Sequence, residues 1–145
     1  MTASLYKHIY TDGTNVRIDD INYGNHLCHT RIINIIHNTR ALFLKSHHLT
    51  ERDCFGYSLI LTALNIRYKS QCYFDDKLKI TMSIGDIERS TFSLNYEVLN
   101  ETTGKIAAQA TLVMVFLDPK SHKITKIPQD FTNLIENINN SEIYS

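Results

Sequence analysis

Residues 16–44 read V-R-I-D-D-I-N-Y-G-N-H-L-C-H-T-R-I-I-N-I-I-H-N-T-R-A-L-F-L, and they join a polar, turn-prone segment directly to the longest helical pattern in the chain. One face of that pattern repeats at helical spacing through Ile32, Ile35, Ile36, Thr39, Leu42 and Phe43. Ile33 and Leu44 add a second apolar strip. Because the two strips together cover more than half of the helix surface, we predict a central helix that the rest of the chain surrounds.

The segment before this helix carries reactive groups as well as turn residues. Residues 22–25, N-Y-G-N, suit a turn and positive φ, and Thr30 is the predicted N-cap residue. Asp20 then lies one short loop before a helix N-terminus, where unpaired backbone N–H groups and the helix dipole favour a developing negative charge. A carboxylate next to such an oxyanion-binding helix end indicates a hydrolytic site.

The composition is that of one ordinary domain with no basic or membrane-spanning segment. The 145 residues are 43% hydrophobic and 21% charged, which is enough to bury a single core. Lysine plus arginine and aspartate plus glutamate each number 15, so we expect no nucleic-acid partner and no membrane binding. The chain shows neither a long apolar run nor a signal sequence, so we expect a cytoplasmic protein whose three cysteines are reduced.

The remainder of the chain alternates at the period of β-strands. We predict strands over residues 56–71, 77–86, 92–98 and 105–117, a short one over 123–127, and a polar helix over 129–139. Residues 6–18 read as one strand or as two short strands broken by a turn at Asp12 and Gly13. One face of the antiparallel sheet should hold the helix. The segments 56–71 and 112–117 are apolar on both faces and suit burial against a second subunit.

Four motifs follow one another in an order that belongs to a known family: D-I-N-Y-G-N-H-L at residues 20–27, H-N-T-R at 37–40, a strand of the form A-x-x-x-x-Y-K at 63–69, and D-x-L at 76–78. Over residues 16–128 the chain resembles the hot-dog-fold acyl-CoA thioesterases related to 4-hydroxybenzoyl-CoA thioesterase. The resemblance implies an α+β hot-dog fold, in which a five- or six-stranded antiparallel sheet wraps a long central helix. It also implies a single domain over 1–145 with a short polar helical tail from about 129, and a homodimer or a dimer of dimers (homotetramer).

The same resemblance implies roles for individual residues. Asp20 matches the carboxylate that acts as nucleophile or general base on the thioester. A backbone N–H near Leu27 would polarise the thioester carbonyl. Members of the family bind the phosphates of coenzyme A at a position that here holds Arg89, Ser90 and Thr91.

Two further residues of the loop have more than one possible role. Asn22 orients the substrate or the attacking water, or forms an Asx-turn, and His26 is a general acid-base, a hydrogen-bond donor to the substrate, or a loop-structuring residue. We also expect substrate contacts from the remaining turn residues and the helix: Tyr23, Gly24, Asn25 and His37. The H-x-C-H spacing of residues 26–29 is too compressed for a tetrahedral metal site, so we predict no metal and no cofactor other than the coenzyme A of the substrate.

The favoured function is hydrolysis of an acyl-CoA by a carboxylate that works beside a helix N-terminus. The alternative is a non-catalytic hot-dog module that binds acyl-CoA or an acyl carrier protein. Asn25, where the family usually has glycine, and Asn38, where it usually has glutamate, favour that alternative. A hot-dog dehydratase is a third option, but its usual pairing of histidine with aspartate or glutamate on the helix is not evident.

Overall fold

The structure is a computed structural model that describes residues 6–142, with side chains to residue 138. Six strands and two α-helices follow one another along the chain, and a short 3₁₀ turn over Ile18–Asp20 precedes the first helix. The elements are β1 (Lys7–Asn15), α1 (His29–Ser46), β2 (Ser58–Tyr68), β3 (Lys77–Ile87), β4 (Phe92–Asn100), β5 (Lys105–Leu117), β6 (Ile124–Thr125) and α2 (Gln129–Glu142).

One antiparallel sheet contains all of these strands, in the order β1-β3-β4-β5-β2, with β6 paired to the end of β5. Side chains alternate between the two faces, as they do along β4, where every second residue is buried. The buried face packs against α1, so the predicted α+β architecture is confirmed.

The central helix forms where the spacing predicts it. Its buried side chains are Ile32, Ile36, Thr39, Arg40, Phe43 and Leu44. The ring of Phe43 packs edge-to-face on Tyr10 of β1, with 5.9 Å between the ring centroids. The helix begins at His29, and its N-cap is Cys28 rather than the predicted Thr30, which lies in the first turn.

One open alternative is resolved, and one expectation requires correction. β1 runs unbroken through Asp12 and Gly13, which pair with Ile80 and Lys79 of β3, so no turn interrupts it. The C-terminal helix is amphipathic rather than polar, because Phe131, Ile135 and Ile138 are buried in the core. The Phe131 ring centroid lies 4.9 Å from that of Phe92 and 5.2 Å from that of Phe116, so α2 closes one end of the hydrophobic core.

β2 is the strand that this chain leaves uncovered. It lies at the edge of the sheet, and among its eleven residues only Leu59 is buried. Exposed apolar side chains follow along it: Ile60, Leu61, Leu64 and Tyr68. Residues 112–117, the other segment expected to bury against a second subunit, lie within β5 and are already covered by this chain.

Candidate functional site

The loop before α1 is a tight hairpin. Ile21 and Leu27 form an antiparallel bridge, and the Asn22 N–H donates to the His26 carbonyl over 3.0 Å. Oδ1 of Asn22 accepts a hydrogen bond from the Gly24 N–H over 2.9 Å. This is an Asx-turn, the structural one of the two roles expected for Asn22. Gly24 lies so close to the His26 ring that an added Cβ would come within 2.8 Å of Nε2. The hairpin therefore holds His26 in one place beside the helix start.

Asp20 ends the 3₁₀ turn and is tied to the helix start through its backbone and side chain. Its carbonyl accepts the Cys28 N–H at 2.9 Å. One carboxylate oxygen accepts the Arg17 N–H at 2.9 Å, and the other lies 3.8 Å from Nε of Arg31. The side chain is 15% exposed. The carboxylate is therefore fixed next to the first turn of α1, although it has partners on both oxygens.

The N–H of Leu27 itself is not free to act as the expected backbone donor. The Leu27 N–H donates to the Cys72 carbonyl over 2.6 Å and so is occupied. The helix begins two residues later, and its first N–H groups belong to His29 and Thr30. No carbonyl within a helix can reach these first N–H groups, so they form the donor-rich end of α1.

Cys28 occupies the N-cap position with a partly exposed, polarised thiol. Its Sγ lies 3.2 Å from Oγ1 of Thr30. Hydrogen bonds from the Thr30 hydroxyl and N–H lower the pKa of the Cys28 thiol, and the nearby Arg31 adds to the effect. Burial instead raises the pKa of Cys72, and that of Cys54 to about 12. All three cysteines are free thiols, and Cys28 is the one whose surroundings favour the thiolate.

A cavity of about 370 Å³ opens beside this helix end. Its floor comes from the helix start and its wall from the end of β2 and the residues that follow: His26, Leu27, His29, Ile32, Tyr68, Ser70, Gln71 and Cys72. The Tyr68 hydroxyl donates to the His29 carbonyl over 2.9 Å, and the two rings meet edge-to-face. His26 and Leu27 are thus the two predicted catalytic residues that line the cavity, and Asp20 and Asn22 are not among its lining residues.

A second cavity, of about 280 Å³, lies further along α1 and ends in a charged cluster. Glu51, from the loop after the helix, lies 2.7 Å from Nε2 of His37 and accepts a hydrogen bond from Nε of Arg40 over 2.6 Å. The Arg40 side chain is only 6% exposed. The sequence pattern does not reveal Glu51, because the glutamate lies outside the helix and is brought to it only by the turn of the chain. His37, an expected substrate contact, belongs to this cluster, whereas Asn38 is exposed.

The Tyr96 hydroxyl is buried behind this cluster and has no hydrogen-bond partner among the described residues. Burial raises the pKa of Tyr96 to about 12, against the opposing effect of the Arg40 guanidinium. Burial alone would raise the pKa of Glu51, but the hydrogen bonds from Arg40 and His37 outweigh it and hold the pKa below its ordinary value. Glu51 is therefore an ionised carboxylate at neutral pH.

The lowered pKa of Glu51 predicts a pH-dependent contribution to stability. A carboxyl group with a depressed folded-state pKa stabilises the protein above its unfolded pKa of about 4.3, and loses this effect as the pH falls through the folded value. The difference in free energy of unfolding between wild type and Glu51→Gln should therefore shrink between about pH 5 and about pH 3. Urea unfolding at each pH measures it, with Glu101→Gln in the β4–β5 turn as control. A difference that stayed constant over this range would contradict the ion pair.

The predicted phosphate-binding residues lie at the other end of the sheet. Arg89, Ser90 and Thr91 form the turn between β3 and β4. The turn is held by a bond from the Glu88 N–H to the Thr91 carbonyl, and the Arg89 carbonyl accepts the Ile127 N–H. Strand β3 has eleven residues, so about 35 Å separates this turn from the end of the sheet at which the helix begins. One chain alone does not bring Arg89 and Asp20 together.

Two further features of residues 6–142 bear on the chemistry. No group of three or more histidine, cysteine, aspartate or glutamate side chains in this part of the chain is arranged to hold a metal ion. Neither described helix has the length and hydropathy of a membrane span.

Comparison with known proteins identifies the family. Residues 16–135 match the family model of the thioesterase-like superfamily. The chain belongs to this superfamily. It is therefore classed as a thioester hydrolase, in agreement with the resemblance seen in its motifs. No curated protein matches the chain by sequence.

Solved structures share the fold of this superfamily member. A Staphylococcus aureus protein in complex with CoA superposes with a TM-score of 0.81 at 20% identity, covering 94% of this chain and 86% of that one. A 1,4-dihydroxy-2-naphthoyl-CoA thioesterase from Synechocystis superposes with a TM-score of 0.76 at 18% identity, covering 85% of this chain and 92% of that one. A mutant 4-hydroxybenzoyl-CoA thioesterase bound to 4-hydroxybenzoyl-CoA superposes with a TM-score of 0.75 at 18% identity, covering 86% of this chain and 96% of that one. The predicted hot-dog fold is thereby confirmed.

Proposed function

We propose that this superfamily member hydrolyses an acyl-CoA to the free acid and coenzyme A, with Asp20 as its working carboxylate. One observation carries the proposal: Asp20 is bonded through its carbonyl to the N-cap residue of α1, so a carboxylate and a donor-rich helix end lie side by side. The 370 Å³ cavity opens at the same helix end. Release of free thiol from acyl-CoA by the purified protein tests the proposal.

The helix end would stabilise the charge that develops on the thioester oxygen. The His29 N–H takes the role expected near Leu27, because the Leu27 N–H is already bonded to Cys72 and the Thr30 N–H donates to the Cys28 thiol. Donors fixed in advance at the place where negative charge develops lower the barrier without reorganisation during the reaction. The chemistry of this step requires no cofactor beyond the coenzyme A of the substrate.

Asp20 has two ways to act. In the first, a carboxylate oxygen attacks the carbonyl carbon, the carbon–sulfur bond breaks, and the CoA thiolate leaves and is protonated by solvent. Water then hydrolyses the mixed anhydride to the free acid and regenerates the carboxylate. In the second, Asp20 takes a proton from a water molecule whose oxygen attacks the same carbon. Each carboxylate oxygen keeps a lone pair beyond those used by Arg17 and Arg31, so either route is open.

A homodimer formed through β2 would complete the site. An uncovered edge strand with exposed apolar side chains is a template for pairing with a second copy. Antiparallel pairing around a two-fold axis reverses the direction of the second copy. The partner's Arg89 would then lie at the same end of the joined sheet as the helix start of this chain. The 35 Å separation within one chain thus supports a site shared between two subunits.

The phosphate role of the Arg89 turn has its own test. Arg89→Ala should raise the KM for acyl-CoA by about tenfold or more, because it removes a charge-assisted contact with phosphate. The KM for the corresponding acyl-pantetheine, which lacks the nucleotide, should not change. Lys79→Ala, which removes an exposed positive charge from β3, is the control. An equal rise in KM for both thioesters would exclude a phosphate contact.

The rival proposal is a non-catalytic module that binds acyl-CoA. The observation in its favour is that both oxygens of the Asp20 carboxylate already have partners. Saturable binding of acyl-CoA with no release of thiol would support this module over the enzyme.

A further inference from the structure

Asp76, the first residue of the D-x-L motif at 76–78, forms a buried polar pair with Asn100, the last residue of β4. The Asn100 amide donates to Oδ2 of Asp76 over 2.8 Å. The same oxygen accepts the Tyr73 N–H at 2.9 Å, and Oδ1 of Asn100 accepts the Thr102 N–H at 3.0 Å. These bonds offset the cost of burying the polar groups, so removal of either side chain leaves unpaired groups in the interior.

The Asp76 carboxylate fixes the turn over residues 73–76. The Asp76 N–H donates to the Tyr73 carbonyl over 3.0 Å, and the Tyr73 N–H donates back to the Asp76 side chain. Asp75, the third residue of this turn, has a φ of 69°, in the left-handed region that is unfavourable for a residue with a side chain. The turn therefore depends on Asp76 for one of the two bonds that close it.

Residues 72–76, which we call the strap, hold both ends of segment 16–27, the segment that carries the proposed working carboxylate. At its first end the Asp75 N–H donates to the Val16 carbonyl over 2.8 Å. The Val16 N–H donates in return to the Asp76 carbonyl over 2.9 Å. Two bonds thus fix the chain just before the 3₁₀ turn.

The second end of the segment is held by the other end of the strap. The Leu27 N–H donates to the Cys72 carbonyl over 2.6 Å, and His26 forms an antiparallel bridge with Tyr73. Asp20 lies in the chain between the two points of attachment. A change in the shape of the strap would therefore move both ends of the segment relative to each other, and Asp20 with them.

We propose that Asp76 and Asn100 are positioning residues for the hydrolysis proposed above. They fix the strap, and the strap fixes the segment that presents the Asp20 carboxylate beside the start of α1. The inference rests on the thioesterase function and names residues on which its rate depends. A displacement of about 1 Å can cost roughly 100-fold in rate, so a small shift of the strap is enough. If the pair only supported the fold, its loss would lower stability and leave the rate of the folded protein unchanged.

Three variants separate positioning from support of the fold, each assayed where circular dichroism shows it folded. Asp76→Ala should lower kcat by about tenfold or more, with little change in KM, for those of butyryl-CoA, decanoyl-CoA and benzoyl-CoA that wild type hydrolyses. Asp76→Asn should retain most of the wild-type kcat, because a single oxygen accepts both bonds in wild type. Ile135→Ala, which opens a cavity under α2, should lower thermal stability and keep kcat.

Hydrogen exchange at the Leu27 amide gives a second measurement that does not depend on activity. In Asp76→Ala this N–H should exchange about tenfold or more faster than in wild type, because the strap that holds it is loosened. Amides in the middle of β4 should change only as far as the global stability does. Asp76→Ser, which keeps a polar oxygen in the cluster, should show a smaller effect in both measurements and replaces Asp76→Ala if that variant does not fold.

The outcomes distinguish this proposal from the function on which it rests. Unchanged kcat in a folded Asp76→Ala, or an equal loss in Asp76→Ala and Asp76→Asn, would overturn the positioning role. The thioesterase function would still stand, because wild type releases thiol in that case. A wild type that releases no thiol from any of the three esters would remove both the thioesterase function and the positioning role.

Discussion

Asp20→Asn is expected to lower kcat for acyl-CoA hydrolysis by about 100-fold or more, which is the usual contribution of a positioned acid-base group. The substitution removes the charge needed for attack or for proton abstraction. It keeps an oxygen that can accept the Arg17 N–H, and the lost ion pair with the half-exposed Arg31 is worth little in water. Steady-state thiol release, with thermal unfolding of the same samples, separates loss of catalysis from loss of structure.

Asp19→Asn is the matched control, because it neutralises the adjacent carboxylate. The Asp19 side chain is 64% exposed, pairs only loosely with Arg17 at 3.6 Å, and points to no cavity described above. It should retain the kcat of wild type. Equal activity in Asp20→Asn and wild type would remove Asp20 from the mechanism, and would make the polarised Cys28 the next nucleophile to test.

Leu64→Lys is expected to convert a dimer to a monomer and to reduce activity per chain by about tenfold or more. Leu64 is 39% exposed in the middle of the edge strand, where a second copy would bury it. A lysine on an edge strand opposes pairing with another strand, because its charge would have to be buried. Loss of the second subunit would also remove the phosphate contacts that the partner would supply, and small displacements are costly in catalysis.

Sedimentation equilibrium gives the mass of each variant, and the thiol-release assay on the same samples gives its activity. Thr103→Lys, in the exposed β4–β5 turn, adds the same charge away from the edge and should remain dimeric. A wild-type protein that is monomeric at assay concentration and fully active would contradict the shared site.

The fold follows from local patterns in the sequence. The helical spacing of Ile32, Ile36 and Phe43 and the alternation along β4 depend on neighbours in the chain, so the sequence predicts both elements within a few residues. Of the two alternatives for residues 6–18, the single strand is found, because pairing with β3 holds the chain extended at Gly13. The apolar side of α2 is hard to see in the sequence because Phe131, Ile135 and Ile138 are spaced among polar residues, which dilute the apolar signal.

The site depends on contacts between distant parts of the chain, which is why the sequence predicts it less completely. The Leu27 N–H is bonded to the carbonyl of Cys72, which lies 45 residues away and becomes its neighbour only when the chain folds. Glu51 reaches His37 and Arg40 for the same reason. The position of Asp20 was predictable, since it depends on a short loop, but the partners of its carboxylate were not.

The most direct measurement of the central proposal is thiol release by purified wild type, Asp19→Asn and Asp20→Asn, from a panel of short, medium and aromatic acyl-CoAs. We expect wild type and Asp19→Asn to release coenzyme A catalytically from at least one ester, and Asp20→Asn to bind that ester with little release. Saturable binding by all three proteins, with no release of thiol from any ester, would contradict the enzyme and identify a binding module.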